Sequence, residues 1–119
     1  MPFDENDAGY LWDMLDAARG IVASMQGVSS ESYLADDNLR LATERRIEII
    51  GEAAGRVSDA VREAHPQIPW RQIIAQRHVL AHDYGEIDND LIWSVTTTHV
   101  PQLIALLEKM LPNTPPDAD

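Results

Sequence analysis

The sequence predicts an all-α fold, an up-and-down bundle of four main helices with room for a short extra one. Three observations predict it. Apolar residues recur at three- and four-residue steps along almost the whole chain. No stretch shows the strict apolar–polar alternation of a half-buried strand. Glycine, proline, serine and aspartate gather at the boundaries of the periodic runs, as helix stops and starts require.

The first helix is expected over about Asp7 to Met25, with Leu11, Met14, Leu15, Ala18, Ile21, Val22 and Met25 as its apolar stripe. Its acidic first turn suits the positive end of the helix dipole. Gly27-Val28-Ser29-Ser30 ends that pattern, and Ser30 to Leu34 fits a short helical turn. Asp36, Asp37 or Asn38 can cap the second helix, expected to be long, from about Asp37 to Ala64. Ile47, Ile50, Ala54, Val57 and Val61 form its buried face. Gly51 costs about 1 kcal/mol in a helix interior relative to alanine. Together with Ala53 and Ala54 it allows another helix to approach closely. Pro66 marks the end.

The third helix is expected from Pro69, where a missing amide proton is harmless, to a stop at Gly85. Trp70, Ile73, Ile74, Leu80 and Ala81 are its inward candidates. Asp88 or Asn89 caps a fourth helix over about Asp90 to Leu111. Its stripe runs Leu91, Ile92, Val95, His99, Leu103, Leu106, Leu107 and Met110, which makes His99 a core histidine. Pro101 falls inside that stripe and should kink the helix. Trp12, Trp70 and Trp93 are read as packing residues, and His65, beside Pro66, as a loop residue. Residues 1–119 are expected to form a single helical domain, with about 112–119 as a flexible tail.

With 119 residues, the chain can bury a substantial core without staples. It holds no cysteine, which removes disulfides and thiolate metal sites and is compatible with a cytoplasmic protein. No apolar run approaches the ~20 residues of a membrane span, and the acidic N-terminus lacks the order of a secretion signal. The formal net charge of −11 argues against strong nonspecific RNA binding. The charge is uneven, however. Residues 40–77 carry seven arginines against five acids, a local +2 that leaves −13 for the rest. Ordinary salt pairing on helix surfaces explains most of these arginines. A local phosphate-contacting face is the functional alternative.

Chemistry concentrates in Arg77-His78-Val79-Leu80-Ala81-His82-Asp83-Tyr84. A permanent cation, two imidazoles, a carboxylate and a phenol fall within eight residues. On an ideal helix His78 and His82 share a face, one turn apart, whereas Arg77 and His82 lie roughly 140° apart. One copy therefore does not aim the pair at a single small ligand. Two copies meeting across a two-fold axis would form one composite pocket. Such a pocket can cleave RNA without metal: one imidazole takes the 2′-hydroxyl proton, a second protonates the leaving 5′-oxygen, and arginine neutralises the transition-state charge. His82 lies near a helix C-terminus, which favours its protonated form. A metal site at His78 and His82 is not expected, because no glutamate follows His78 and Asp83 is the only adjacent third ligand.

Arg77, His82 and Tyr84 spell Arg-x4-His-x-Tyr. The motif follows Ile68-Pro69-Trp70, lies downstream of Glu44-Arg45-Arg46-Ile47-Glu48-Ile49-Ile50-Gly51-Glu52-Ala53-Ala54, and precedes Asp88-x-Asp90-Leu91-Ile92-Trp93. Over roughly Leu11 to Leu107 this resembles the HepT-like toxins of the HEPN superfamily. The chain departs in one place, with His78 where many relatives carry asparagine.

The resemblance implies a HEPN-like bundle acting as a homodimeric, metal-independent ribonuclease toxin with no cofactor, in a prokaryotic toxin–antitoxin pair. Arg77 and His82 would be the catalytic residues, supported by His78 and Asp83. The substrate would be RNA, with tRNA a candidate. The partner would be a minimal nucleotidyltransferase antitoxin of the MntA type, which silences the toxin by transferring AMP to Tyr84. The alternative is a non-catalytic helical binding module for a nucleotidyltransferase, which the acidic body favours.

Overall fold

The computed structural model describes residues 4–82 and 88–111, and for residues 78–82 the backbone alone. Every regular element among the described residues is a helix, with four long helical stretches and two short helices between them. Helix α1 spans Glu5–Ser24, and Asp4 caps it by accepting the Asn6 amide at 2.8 Å. Leu11, Met14, Leu15, Ala18 and Ile21 are buried, as the periodicity requires. The expected short turn is α2, Ser30–Ala35, capped by Ser29. Asp36 then caps α3, Asp37–Arg56, by accepting the Leu39 amide at 3.0 Å.

The long helix expected to reach Ala64 is interrupted. Val57 is extended, and a separate α4 runs Asp59–Ala64. Ser58 caps α4, and Asp7 of α1 fastens the break. The buried Asp7 carboxylate accepts the Ser58 amide at 2.8 Å and the Ser58 hydroxyl at 2.7 Å. Val57 keeps its place in the core despite the break. The apolar period between 37 and 64 continues through the interruption because the group that stabilises it comes from another helix.

Pro69 precedes α5, Trp70–His82, and its carbonyl accepts the Ile73 amide at 3.1 Å. Asp88 caps α6, Asn89–Ser94, through the amides of Asp90 and Leu91. A π-helical turn, Val95–His99, joins α6 directly to α7, Val100–Met110. This turn lies just before Pro101, where the sequence predicts a kink. The Val100 amide reaches back five residues to the Val95 carbonyl, and Pro101 falls in the first turn of α7, where its missing amide is harmless. The hydroxyls of Thr96 and Thr97 both donate to the Trp93 carbonyl at 2.9 Å.

Helix α3 is central. It packs against α1 on one side and α5 on the other, and α1 in turn packs against α7. Trp12 and Trp70 are buried, and Trp93 is half-buried against the core. Two residues of the fourth stripe do not join the core: Leu91 is 52% exposed, and His99 is exposed rather than a core histidine. Both lie on the side where α5 faces the α6–α7 rod. The Gly85 stop and the tail at 112–119 lie outside the described residues. Among the described residues no helix is long and apolar enough to cross a membrane.

Among the described residues the largest fully buried side chain is Tyr33 on α2, which the stripes do not single out. Its ring lies 5.9 Å from that of Trp93, tilted by 47°. Its hydroxyl has no hydrogen-bond partner among the described residues. Burial, reinforced by the Glu44 carboxylate and opposed by Arg40, pushes the phenol up to about 12. The folded state therefore prefers the protonated phenol more strongly than the unfolded chain does. That stability is fully present below pH ~10 and is lost as pH rises toward 12. Tyr33→Phe is expected to leave neutral-pH stability unchanged or raised, since it removes an unsatisfied buried hydroxyl. It should also flatten the alkaline loss between pH 10 and 12, measured by denaturant melts across that range.

Candidate active site

Two constraints set Arg77 in place. Trp70 anchors the start of α5, its indole Nε1 donating to the His65 carbonyl at 3.0 Å. Two turns later α5 crosses α3 at Gly51. A Cβ on Gly51 would lie 2.1 Å from Arg77 Cβ and 2.9 Å from the Ile73 carbonyl oxygen. No side chain fits that gap, so glycine is required for the two helices to meet at this distance. The close approach expected at Gly51 is thus realised, and the residue that uses it is the motif arginine.

Arg77 differs from most of its neighbours. Arg40 pairs with Asp37, Arg45 with Glu48 at 2.6 Å, Arg56 with Glu52 at 3.2 Å and Arg62 with Asp59 at 3.1 Å. These are the surface pairs that the bland reading of the arginine-rich stretch expects, each worth little in isolation. Arg46 lies over Gly20 and donates to the Ser24 hydroxyl at 3.1 Å. Arg77 is half-buried and has no carboxylate partner among the described residues; its Nε, like that of Arg62, is enclosed without an acceptor among them. A guanidinium with no carboxylate to neutralise it among the described residues keeps its charge for an incoming anion.

The α5 backbone stays helical through His82. Positions 77 and 82 therefore keep their ~140° separation around the axis, and positions 78 and 82 share a face. The side chains of His78 and His82, and the whole of Asp83 and Tyr84, lie outside the described residues. Of the motif, the structure places the Arg77 side chain and the helical register of the two histidines.

Sequence reasoning passed over a groove beside this helix. Among the described residues α5 and α7 barely touch, which leaves the bundle open along that edge. A cleft of about 450 Å³ occupies the opening. Ile47 and Ile50 of α3 form part of its apolar lining, Ile73 and Gln76 belong to its α5 wall, and His99 and Leu103 to the opposite wall. The legible signals were Gln72 and Gln76, polar residues one turn apart on α5, and Pro101, whose accommodation puts the π turn in the groove wall.

The model of the HepT-like ribonuclease family matches residues 14–110, a span that includes α3, the Gly51 crossing and the whole motif. The chain belongs to the HepT-like ribonuclease family. Individual relatives agree. A Methanocaldococcus jannaschii protein provisionally named an RNase is 30% identical over 94 residues, which cover 79% of this chain and 86% of the relative. A Thermococcus cleftensis protein named a probable ribonuclease HepT is 32% identical over 101 residues, 85% and 92% of the two chains. A Caldanaerobacter subterraneus protein, again provisionally named an RNase, is 30% identical over 102 residues, 86% and 91%. No solved structure matches the chain at a significant level. Within this HepT-like domain the all-α expectation holds, and ribonuclease is the enzyme class of the family.

Proposed function

We propose that the protein is the ribonuclease toxin of a prokaryotic toxin–antitoxin pair, active in the cytoplasm as a homodimer. The observation that carries this reading is Arg77: a half-buried arginine seated on Gly51 in a HepT-like domain, its Nε without an acceptor among the described residues. Two copies of the α5 end, related by a two-fold axis, supply two guanidinium and two imidazole groups to one pocket. One His82 imidazole accepts the 2′-hydroxyl proton, and the 2′-oxygen attacks phosphorus. The bond from phosphorus to the 5′-oxygen breaks, and the second imidazole protonates that oxygen. The products are a 2′,3′-cyclic phosphate and a free 5′-hydroxyl. Arg77 binds the phosphate and offsets the charge that builds on it. His78 and Asp83 support the site, and no metal takes part in these steps.

Silencing in this reading comes from a nucleotidyltransferase antitoxin that transfers AMP to the Tyr84 phenol. A phosphodiester there places negative charge and bulk beside the site and repels an RNA phosphate. The net charge of −11 favours the second reading, a non-catalytic module that binds the nucleotidyltransferase. Incubating the purified protein with total tRNA and a chelator separates the two. Cleavage that survives chelation and is lost in His82→Ala supports the nuclease. Intact tRNA with an unmodified dimer supports the binding module. Co-expression with the antitoxin should add AMP mass to the wild type and none to Tyr84→Phe. AMP silencing that persists in Tyr84→Phe would remove the tyrosine from the scheme.

A further inference from the structure

We propose that the open edge between α5 and the α6–α7 rod is a nucleobase subsite for the RNA that Arg77 holds. The proposal rests on the ribonuclease reading and adds a binding site to it. The cleft volume of about 450 Å³ is within the range of small-molecule sites. Its chemistry is selective. The aliphatic side chains of Ile47, Ile50 and Leu103 can cover the face of a flat ring, and four glutamines, Gln67, Gln72, Gln76 and Gln102, add carboxamides to the lining. Among the described residues no carboxylate, lysine or arginine lines it. Such a lining suits a neutral, planar group with hydrogen-bond donors and acceptors along its edge. A carboxamide both donates and accepts, and it pairs bidentately with adenine through N6 and N7. Adenine is therefore the base expected to bind tightest.

Position argues for the same occupant. Ile73, in the α5 wall, precedes Arg77 by about one turn, ~6 Å along the axis. Ile50, in the α3 wall, adjoins Gly51, on which Arg77 rests. Gln76, next to Arg77 in the chain, also lines the cleft, so a nucleotide whose phosphate reaches Arg77 can extend its base into the groove. The opposite wall contains the π turn with His99 at its end, and such insertions recur at functional sites.

The test reads binding separately from cleavage. Isotope-labelled protein is titrated with adenosine, guanosine, cytidine and uridine, and with ribose as control. The glutamine side-chain amide signals are followed by NMR. Adenosine should shift the signals of Gln72, Gln76 and Gln102 with at least fivefold higher affinity than the other nucleosides, and ribose should shift none. Gln72→Leu with Gln102→Leu should erase that preference without lowering the melting temperature, and should flatten base selectivity at the cut site in a random RNA pool. Nucleosides that leave the groove signals unmoved overturn the proposal. So does a groove shielded from solvent in the wild type and opened in Leu91→Asp with loss of the dimer, which would make it a contact between two copies. Nucleoside binding without cleavage of any RNA would leave the subsite standing and remove the nuclease reading alone.

Discussion

Arg77→Ala is expected to lower RNA cleavage by at least about 10²-fold, the scale seen when one charge-stabilising donor is removed from a transition state. Stability should fall far less. Alanine keeps the Cβ that packs on Gly51, and the enclosed Nε has no hydrogen bond among the described residues to lose. The loss should therefore be in turnover, with an unchanged circular dichroism spectrum and a melting temperature within a few degrees. Arg77→Lys keeps the charge but not the planar fork, so it should recover only part of the rate. Cleavage at the wild-type rate by purified Arg77→Ala would sink the assignment of this residue.

Gly51→Ala should damage both stability and activity, although helix propensity predicts the reverse. On propensity alone, alanine in a helix interior gains about 1 kcal/mol over glycine. The added methyl, however, would sit 2.1 Å from Arg77 Cβ and 2.9 Å from the Ile73 carbonyl oxygen. Neither is the free end of a flexible side chain, so α5 has to move away from α3. Overpacking of this kind costs about 1–3 kcal/mol, enough to outweigh the propensity gain. The displaced helix is the one that carries Arg77 and His82, so turnover should drop along with the melting temperature. A Gly51→Ala protein more stable than wild type in urea melts would show that the two helices can separate without cost.

Much of the architecture was legible because it is written in local periodicity. The stripes of α1 and α3 fall where three- and four-residue spacing puts them, and Asp36 and Asp88 cap the helices their positions suggest. Gly51 was readable as a close approach, since a glycine beside two alanines in an apolar helix face has little other use. The break at Val57–Ser58 was hidden because Asp7, which stabilises it, lies 51 residues away. His99 was misread for a related reason. Periodicity says which residues share a helix face, but not whether a neighbouring helix covers that face, and α5 leaves this one open.

The candidate site divides along the same line. Residue order alone supplied the motif, the family resemblance, and the ~140° that separates positions 77 and 82 on one helix. Those are properties of a single helix, and a chain's spacing specifies them. Only the packed bundle decided that Arg77 would rest on Gly51 with its Nε enclosed, beside a cleft rimmed with carboxamides. These features depend on how near two helices come. That distance is set by which side chains meet at the crossing, and those contacts join residues far apart in the chain.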